Sequence, residues 1–364
     1  MKKIPTLVYY ITAHGYGHGV RSCDIIRALR REAPELRIMV VSDLPVDFLR
    51  SRLDLPMEAY RAGSFDVGMV QLDSIRVDVP ATLIKVQSLM KRGPALIESE
   101  RQFLRAHAAD VVVCDIPSLP MEAARAEGLP VVAVGNFAWD WIYQDFAAEH
   151  PAWPAAVDYF QRGYANADVL LRLPFAEPMT IFPRREDIPL VAAAGVARRS
   201  DIARAYHVDE KKTWVLLSFT TLDWNQAALA EVEKFSDYAF LTVRPLGWTG
   251  RNFFAIDRHQ FSFSDVIASC DMVVSKPGYG ILSECVVNNK ILVYAERENF
   301  REYPVLEAAL KRHLRHVHIP SRELYAGKLG GYLERASHAA PALQPIGAGG
   351  DVIAARRMIE FLPD

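Results

Sequence analysis

The sequence has few cysteines and no long apolar runs. Its 364 residues include only four cysteines, Cys23, Cys114, Cys270 and Cys285, and none forms a C-x-x-C pair. We interpret them as reduced core residues of a cytoplasmic protein. No apolar run is long enough to span a bilayer. The short run after the basic start leads directly into glycines, which disfavours a signal peptide.

Charge of one sign is also missing. The formal net charge is −2, which gives no argument for a nucleic-acid partner or a membrane surface. Short-period repeats and low-complexity tracts are absent as well. At this length two domains are the default expectation.

Strand-like apolar runs alternate with helical patterns in both halves of the chain. Strands are predicted at 7–12, 36–41, 111–114, 131–134, 214–219, 239–243, 272–275, 291–294 and 316–319. Helices are predicted at 20–31, 46–53, 81–107 (with a break near Gly93 and Pro94), 121–127, 223–235, 263–269, 280–287, 304–310 and 350–361. Continuous apolar strands separated by helices predict parallel sheets covered on both faces.

A proline-rich stretch, 174–196, has little periodicity and is predicted to link two α/β domains. We expect a first domain over 1–190, a second over 191–345, and a C-terminal helix in 346–364 that packs back on the first domain. Ligands of open parallel sheets bind beyond the carboxyl ends of the strands. Two such sheets facing each other would form a cleft.

A glycine-rich turn, His14-Gly15-Tyr16-Gly17-His18-Gly19, follows the first predicted strand and precedes a helical pattern. Such a turn lets a ligand approach the backbone, and histidine titrates near neutral pH. The G-x-G-x-x-G dinucleotide fingerprint is incomplete because Val20 replaces its third glycine. The alternative is that both histidines only hydrogen-bond backbone around a tight turn.

A second glycine turn, Lys276-Pro277-Gly278-Tyr279-Gly280, follows the strand predicted at 272–275 and opens a helix that contains Glu284. The free N–H groups at a helix start suit a pyrophosphate. Glu284 is placed to accept hydrogen bonds from ribose hydroxyls. The alternative is a carboxylate that only interacts favourably with the helix dipole.

Two segments follow strands of the first predicted sheet and so share an edge with the opening turn. Asp115 could orient His18, as a carboxylate does behind a catalytic imidazole, or cap the next helix. The aromatic segment from Asn136 to Tyr143 could stack on a sugar or pack in the core.

A polar stretch that includes Glu298, Asn299 and Glu302 could hydrogen-bond sugar hydroxyls or form a solvated loop. His313, His316 and His318 suggest a metal site, but their neighbours are basic, and a closed site needs about four ligands in defined geometry. We expect no metal.

Together these motifs resemble the GT-B glycosyltransferases, above all the glycosyltransferase-like region of plant L-arabinokinases and its bacterial relatives. The opening turn with Arg21 is similar to the H-G-x-G-H-x-x-R of that group. Its other motifs, S-D, N-F-S-W-D-F-I-Y and K-P-G-Y-G…S-E, resemble Cys114-Asp115, Asn136–Tyr143 and Lys276–Glu284.

The resemblance implies a glycosyltransferase (hexosyl- or pentosyltransferase) with two Rossmann-like domains, a nucleotide-sugar donor expected to be UDP-linked, and a small-molecule, glycan or lipid acceptor. We expect it to be metal-independent, because the helix start takes the role of a cation. No further cofactor is implied. His18 would be the general base and Asp115 its support, with Arg21 near the leaving diphosphate. The bacterial lipid II glucosaminyltransferase has a similar glutamate on the donor ribose. The expected donor-side residues are Gly278, Tyr279, Gly280, Ile281, Ser283, Glu284, Glu298, Asn299, Glu302 and Thr220. The expected acceptor-side residues are His14, Gly17, Arg21, Asn136, Trp139, Asp140 and Tyr143.

One departure is the turn after the first strand of the second domain. The family often has F-G-G there, close to donor phosphate, whereas this chain has Phe219-Thr220-Thr221. That change favours an alternative function, a nucleotide-sugar or carbohydrate-binding protein without catalysis. A nicotinamide oxidoreductase, suggested by the opening turn and Asp43, leaves the second glycine turn unexplained.

Overall fold

The computed structural model describes residues 4–244, 246–248 and 250–363. The chain divides into two compact units. Unit 1 comprises Met1–Val70, Asp78–Ala192 and Gly347–Asp364, and unit 2 comprises Gln71–Val77 and Ala193–Ile346. Within the described residues, no helix combines the length and hydrophobicity that a bilayer crossing requires.

Unit 1 is built on a parallel sheet whose apolar strands are nearly all buried. Its strands, with two short ones at the boundary to unit 2, are β1 (Thr6–Ile11), β2 (Arg37–Val41), β3 (Tyr60–Arg61), β4 (Val70–Gln71), β5 (Val77–Asp78), β6 (Val111–Asp115), β7 (Val131–Gly135), β8 (Val169–Arg172) and β9 (Arg185–Asp187). Its first helices are α1 (Tyr16–Glu32), α2 (Val46–Arg50), α3 (Val79–Ala106), α4 (Leu119–Ala126), α5 (Trp139–Gln144) and α6 (Ala152–Tyr164).

The strand order of the larger sheet is β3-β2-β1-β6-β7-β8-β9. In the register of its central pair, Leu7 lies opposite Val111 and Ile11 opposite Asp115. The carboxyl ends of β1 and β6 are therefore adjacent, which brings the residues after them to one edge of the sheet.

The predicted break in the longest helix is wrong, because α3 runs without interruption through Gly93 and Pro94. Pro94 lies on the exposed side of the helix. Gly93 faces α6, where an added Cβ would lie 1.9 Å from the hydroxyl oxygen of Tyr159. The glycine therefore serves close helix packing, not chain bending.

The short segment 71–77 belongs to unit 2, although it lies far from the rest of that unit in sequence. Ile75 is fully buried in the hydrophobic core of unit 2. Asp73 accepts hydrogen bonds from the Ile75 and Arg76 amides and, at 2.8 Å, from the Tyr325 hydroxyl. Neither the composition nor the periodicity of the sequence indicated this exchange between units.

Unit 2 repeats the same architecture around a smaller parallel sheet. Its helices are α7 (Arg199–Tyr206), α8 (Gln226–Val232), α9 (Phe263–Ser269), α10 (Tyr279–Val287), α11 (Tyr303–His313), α12 (Ser321–Tyr325) and α13 (Gly330–Ser337). Its strands are β10 (Thr213–Ser218), β11 (Tyr238–Val243), β12 (Phe253–Ile256), β13 (Met272–Ser275), β14 (Ile291–Tyr294) and β15 (His316–His318), in the order β12-β11-β10-β13-β14-β15.

The chain ends in α14 (Gly350–Ile359), which packs on α1 within unit 1. The expected linker is mostly part of unit 1 as well, since Arg185–Asp187 adds strand β9 to its sheet. The units divide after Ala192, two residues beyond the boundary expected from the sequence.

Candidate functional site

The candidate site of unit 1 is built at the start of α1, just beyond β1. Gly15 caps the helix, and His18 is its third residue. Gly19 is closely packed, because an added Cβ would lie 2.6 Å from the side chains of both Leu44 and Phe48 and one of them would have to shift. His18 is buried, and its ring packs edge-to-face against Phe137 at a centroid distance of 5.8 Å.

Asp115 lies at the centre of this site, at the end of β6. Its Oδ1 is 2.8 Å from His18 Nδ1 and accepts a hydrogen bond of 2.6 Å from Arg21 Nη2. Its Oδ2 accepts hydrogen bonds from Arg21 Nε at 2.7 Å and from Ser22 Oγ at 2.9 Å. Ser118 holds the N-cap position of α4, so the alternative assignment of Asp115 as a helix cap is wrong.

The charge of Asp115 is fixed by its neighbours. Burial alone would raise the pKa of its carboxyl, but Arg21 and then His18 offset this and hold the pKa well below its usual range. Arg21 Nη2, which can only donate, also lies 2.9 Å from His18 Nδ1. We assign the proton to Nδ1, because the hydrogen bond from that nitrogen to the anionic Asp115 is charge-assisted. In this tautomer Nε2 carries no proton and has the lone pair that a base requires.

Arg21 is also buried, and its Nη1 donates to Asn136 Oδ1 at 2.9 Å. The guanidinium therefore binds Asp115 and Asn136 inside unit 1. This placement does not fit the expected contact with a leaving diphosphate. Instead, Arg21 supplies the positive charge that keeps Asp115 ionised in a buried place.

The aromatic residues of the predicted acceptor side pack in the core. Trp139 and Tyr143 are fully buried, with ring centroids 5.8 Å apart in a stacked arrangement. Trp139 Nε1 donates to Asp66 and the Tyr143 hydroxyl donates to the carbonyl of Gly68. Sugar stacking on these two rings, one of the two alternatives, is therefore wrong for this structure.

The remaining acceptor-side residues differ in their exposure. Asp140 is buried and accepts a hydrogen bond from Gln161 at 3.2 Å. His14 is half-buried and meets the Trp139 ring edge-to-face, at a centroid distance of 4.9 Å. With half-buried Gly17, it leaves part of the opening turn accessible.

Asp66 is a site residue that sequence reasoning missed. Its Oδ1 accepts a hydrogen bond from Thr12 Oγ1 at 2.9 Å, and its Oδ2 accepts one from Trp139 Nε1 at 3.0 Å. Burial raises the pKa of this carboxyl from 3.8 to about 6, although both hydrogen bonds oppose the rise. Asp66 lies in a stretch without periodicity, so no signal in the sequence could have found it.

The candidate site of unit 2 lies at the start of α10. Gly278 caps this helix without a side-chain hydrogen bond, and its first turn contains no acidic residue. Glu284 is buried and anchored: its Oε1 accepts from Ser264 Oγ at 2.9 Å and its Oε2 accepts from Asn288 Nδ2 at 3.3 Å.

The other donor-side residues are placed around neighbouring strand ends. Glu298 and Asn299 are exposed in the segment after β14, and Glu302 is buried at the start of α11. Tyr279 and Ser283 of α10 are buried, whereas Gly280 and Ile281 are half-buried.

The turn after β10 is hydrogen-bonded to the inserted segment 71–77. The Ser74 amide donates to the Thr221 carbonyl at 3.1 Å, and the Thr221 amide donates to Ser74 Oγ at 3.2 Å. Thr220 beside it is exposed. The position where the family often has F-G-G therefore binds a segment of this chain.

The three histidines near the end of unit 2 have separate partners. His313 Nδ1 lies 3.0 Å from the Gln344 carbonyl, His316 Nδ1 lies 2.9 Å from the Leu314 carbonyl, and His318 Nε2 lies 2.8 Å from Glu296 Oε2. In the part of the chain that the structure describes, no three His, Cys, Asp or Glu side chains form a group that could hold a metal ion.

Comparisons with known proteins identify the relatives of this chain. The family model described as glycosyl transferase family 1 matches residues 5–167. The L-arabinokinase of Arabidopsis thaliana is 29% identical over 367 residues, which cover 95% of this chain. The chain spans about a third of the length of that relative (33%).

Solved structures of glycosyltransferases share the fold over the whole chain. The glycotransferase of kitacinnamycin is 17% identical with a TM-score of 0.61, covering 99% of this chain and 100% of its own. A UDP-glucosyltransferase from Polygonum tinctorium capable of glucosylating indoxyl is 13% identical with a TM-score of 0.59, covering 99% of this chain and 98% of its own.

The resemblance to GT-B glycosyltransferases and the predicted fold, with two Rossmann-like α/β domains, are thereby confirmed. These solved structures show the fold alone, and the family model matches less than half of the chain. Since fold alone does not fix function, the roles of individual residues rest on the geometry described above.

Proposed function

We propose that this protein is a metal-independent glycosyltransferase that moves a sugar from a nucleotide-sugar donor to an acceptor hydroxyl. The observation that carries the proposal is the buried pair of His18 and Asp115 at the end of β1 and β6. A carboxylate that accepts from one imidazole nitrogen fixes the tautomer in which the other nitrogen can act as a base.

In the proposed reaction, His18 Nε2 removes the proton from the acceptor hydroxyl while the acceptor oxygen bonds to the anomeric carbon of the donor. The bond from that carbon to the diphosphate oxygen breaks, and the nucleoside diphosphate leaves with the electron pair. Asp115 holds His18 in the tautomer that the step needs. Because Arg21 already neutralises Asp115, we assign Asp115 a role mainly in orientation.

The donor is proposed to bind unit 2. The start of α10, which has no side-chain cap, offers backbone N–H groups to a diphosphate. These groups supply positive potential where charge develops on the leaving group, so the scheme needs neither a metal nor a further cofactor. Glu284, anchored by Ser264 and Asn288, is proposed to accept a hydrogen bond from the donor ribose.

The test has two steps. The full chain is first screened by thermal shift against uridine, guanosine, thymidine and adenosine diphosphates, because a ligand of the folded state raises the melting temperature. The matching nucleotide-sugars are then incubated with candidate acceptors, and released nucleoside diphosphate is measured. We expect His18→Ala to slow transfer about 10²–10⁴-fold without weakening donor binding.

The matched control is His150→Ala, since His150 is an exposed histidine of the same unit. It should leave the transfer rate unchanged. Transfer by His18→Ala at the rate of the unaltered protein would refute the assignment of the base.

A second candidate function is nucleotide-sugar or carbohydrate binding without catalysis. The hydrogen bonds between Thr221 and Ser74 favour it, because they occupy a turn that the family often places close to donor phosphate. Tight binding of a nucleotide-sugar with no release of diphosphate, for any acceptor tried, would support this function over transfer.

A further inference from the structure

Arg297 of unit 2 is a buried cation that the proposed reaction leaves unexplained. Its side chain lies just after β14, and the residue is only 7% exposed. Its guanidinium packs over the Phe300 ring, 3.5 Å from the centroid. Its Nε and Nη2 are buried, and among the described residues they have no hydrogen-bond partner. A buried charge without partners is costly, so it indicates a ligand that completes the site.

A second cation, Lys276, lies at the neighbouring strand end. In the register of β13 and β14, Ser275 is opposite Tyr294, and the Ala295 amide donates to the Ser275 carbonyl at 3.1 Å. The segment that starts at Lys276, after β13, therefore lies beside the segment after β14 that carries Arg297. Its Nζ folds back over the cap of α10, 2.9 Å from where a Cβ on Gly278 would stand.

The two cations influence each other. Burial, and then the charge of Arg297, lower the pKa of Lys276 to about 7, while the carboxylate of Glu302 opposes the change. Burial likewise lowers the pKa of Arg297 to about 10, again opposed by Glu302. Within the described ranges, neither cation forms an ion pair with Glu302 or with another acid. Glu302 is the acid whose charge acts on both cations.

We propose that Lys276 and Arg297, with the start of α10, form an oxyanion pocket that binds an anionic group of the donor. This inference rests on the proposed binding of the donor to unit 2. The group is either a phosphate of the diphosphate or a carboxylate on an acidic donor sugar. Arginine and lysine bind the anionic oxygens of both groups.

Calorimetric titration of the full chain with inorganic pyrophosphate, UDP, UDP-glucose and UDP-glucuronate tests the pocket. Lys276→Gln and Arg297→Gln remove one charge each, and Arg297→Lys keeps the charge. Arg322→Gln is the control, because the side chain of Arg322 is 84% exposed in the same unit. If the group is a phosphate, both Gln variants bind pyrophosphate and UDP about tenfold or more weakly than the unaltered protein. Arg297→Lys then restores part of the lost affinity.

If the group is a sugar carboxylate, the Gln variants bind pyrophosphate and UDP normally but lose a preference for UDP-glucuronate over UDP-glucose. The melting temperature of the ligand-free protein gives a second readout. We expect Arg297→Gln to raise it, because the variant removes an unpaired buried charge that is kept for binding. A structural role for Arg297 predicts a fall instead.

The pocket is refuted if the Gln variants match the unaltered protein for all four probes, or if the unaltered protein binds none of them. Loss of anion binding in the variants of a chain that transfers no sugar would support the pocket and refute only the proposed transferase. Normal transfer with unchanged binding in all variants would refute only the pocket.

Discussion

Asp115 is the residue on which the unit 1 site depends. Its carboxylate is fully buried and binds His18, Arg21 and Ser22 at once. Such a charge is tolerated in the interior only because a cation and hydrogen-bond donors surround it. The motif predicted that His18 and Asp115 would meet, but it did not predict that Arg21 would complete the pair, since side-chain direction depends on the packed helix.

Removal of Arg21 should therefore destabilise the protein strongly. Arg21→Met leaves Asp115 as a buried anion without its main partner, which costs about 3–5 kcal/mol of the free energy of unfolding. The control on the same helix is Arg31→Met. The side chain of Arg31 is 60% exposed and its pairing distance to Asp351 is 3.5 Å, so we expect about 0–1 kcal/mol. Urea unfolding curves measure both, and equal losses would contradict the assignment.

Asp66 predicts a pH dependence of stability. Its pKa rises from an ordinary 3.8 to about 6 on folding because the carboxyl is buried. Between these values the folded state binds a proton that the unfolded chain has released, so this group makes stability fall as pH rises. Asp66→Asn should remove that dependence. Between pH 4.5 and pH 7.5, the free energy of unfolding of the variant should rise by on the order of 2 kcal/mol relative to that of the unaltered protein.

The measurement is the free energy of unfolding of both proteins at several pH values, since other groups cancel in the difference. A constant difference across this range would show that Asp66 keeps its ordinary pKa in the folded protein.

At the scale of elements, α6 approaches α4 through a glycine. An added Cβ at Gly163 would lie 2.6 Å from Ser118 Cβ and 3.0 Å from the Ser118 carbonyl oxygen. Gly163→Ala should therefore destabilise the protein by about 1–3 kcal/mol through overpacking, although alanine is the better helix former. Thermal or urea unfolding measures the change.

The matched control is Gly331→Ala in α13, where an added Cβ meets nothing within 4 Å. At Gly331 we expect the free energy of unfolding to rise by up to about 1 kcal/mol from helix propensity alone. A gain at both positions would show that α4 and α6 adjust without cost.

Elements were predictable where apolar periodicity was strong. The buried strands β1, β6 and β13 were found almost to the residue because each is a continuous apolar run. The break expected at Pro94 was wrong, since α3 continues through this exposed residue. Segments without periodicity, such as β9, gave no signal.

At the scale of the whole molecule, unit 1 is formed by three separate segments of the chain, and its last helix, α14, packs on α1. Met358 of α14 is fully buried, whereas Ile353 of the same helix is 46% exposed. Met358→Ala should cost about 2–5 kcal/mol through the cavity it leaves, and Ile353→Ala well under half as much. Unfolding curves of the two variants test this, and a small loss for Met358→Ala would show that α14 contributes little to unit 1.

The sequence by itself determined the α/β class, the presence of two Rossmann-like domains and the two glycine turns. These features follow from local patterns: apolar runs set the strands, and glycines before a helical period set the turns. It also determined which strand ends would carry His18, Asp115 and Glu284, because parallel strands bring their carboxyl ends to one edge.

Only the tertiary structure decided how those residues are used. It buried Trp139 and Tyr143, paired Arg21 with Asp115, added Asp66 to the first site and placed segment 71–77 on the turn at Thr221. It also left the guanidinium of Arg297 buried beside Lys276. The physical reason is common to all of them: burial and hydrogen-bond partners come from chain segments far apart in sequence, and no local pattern encodes which segments meet.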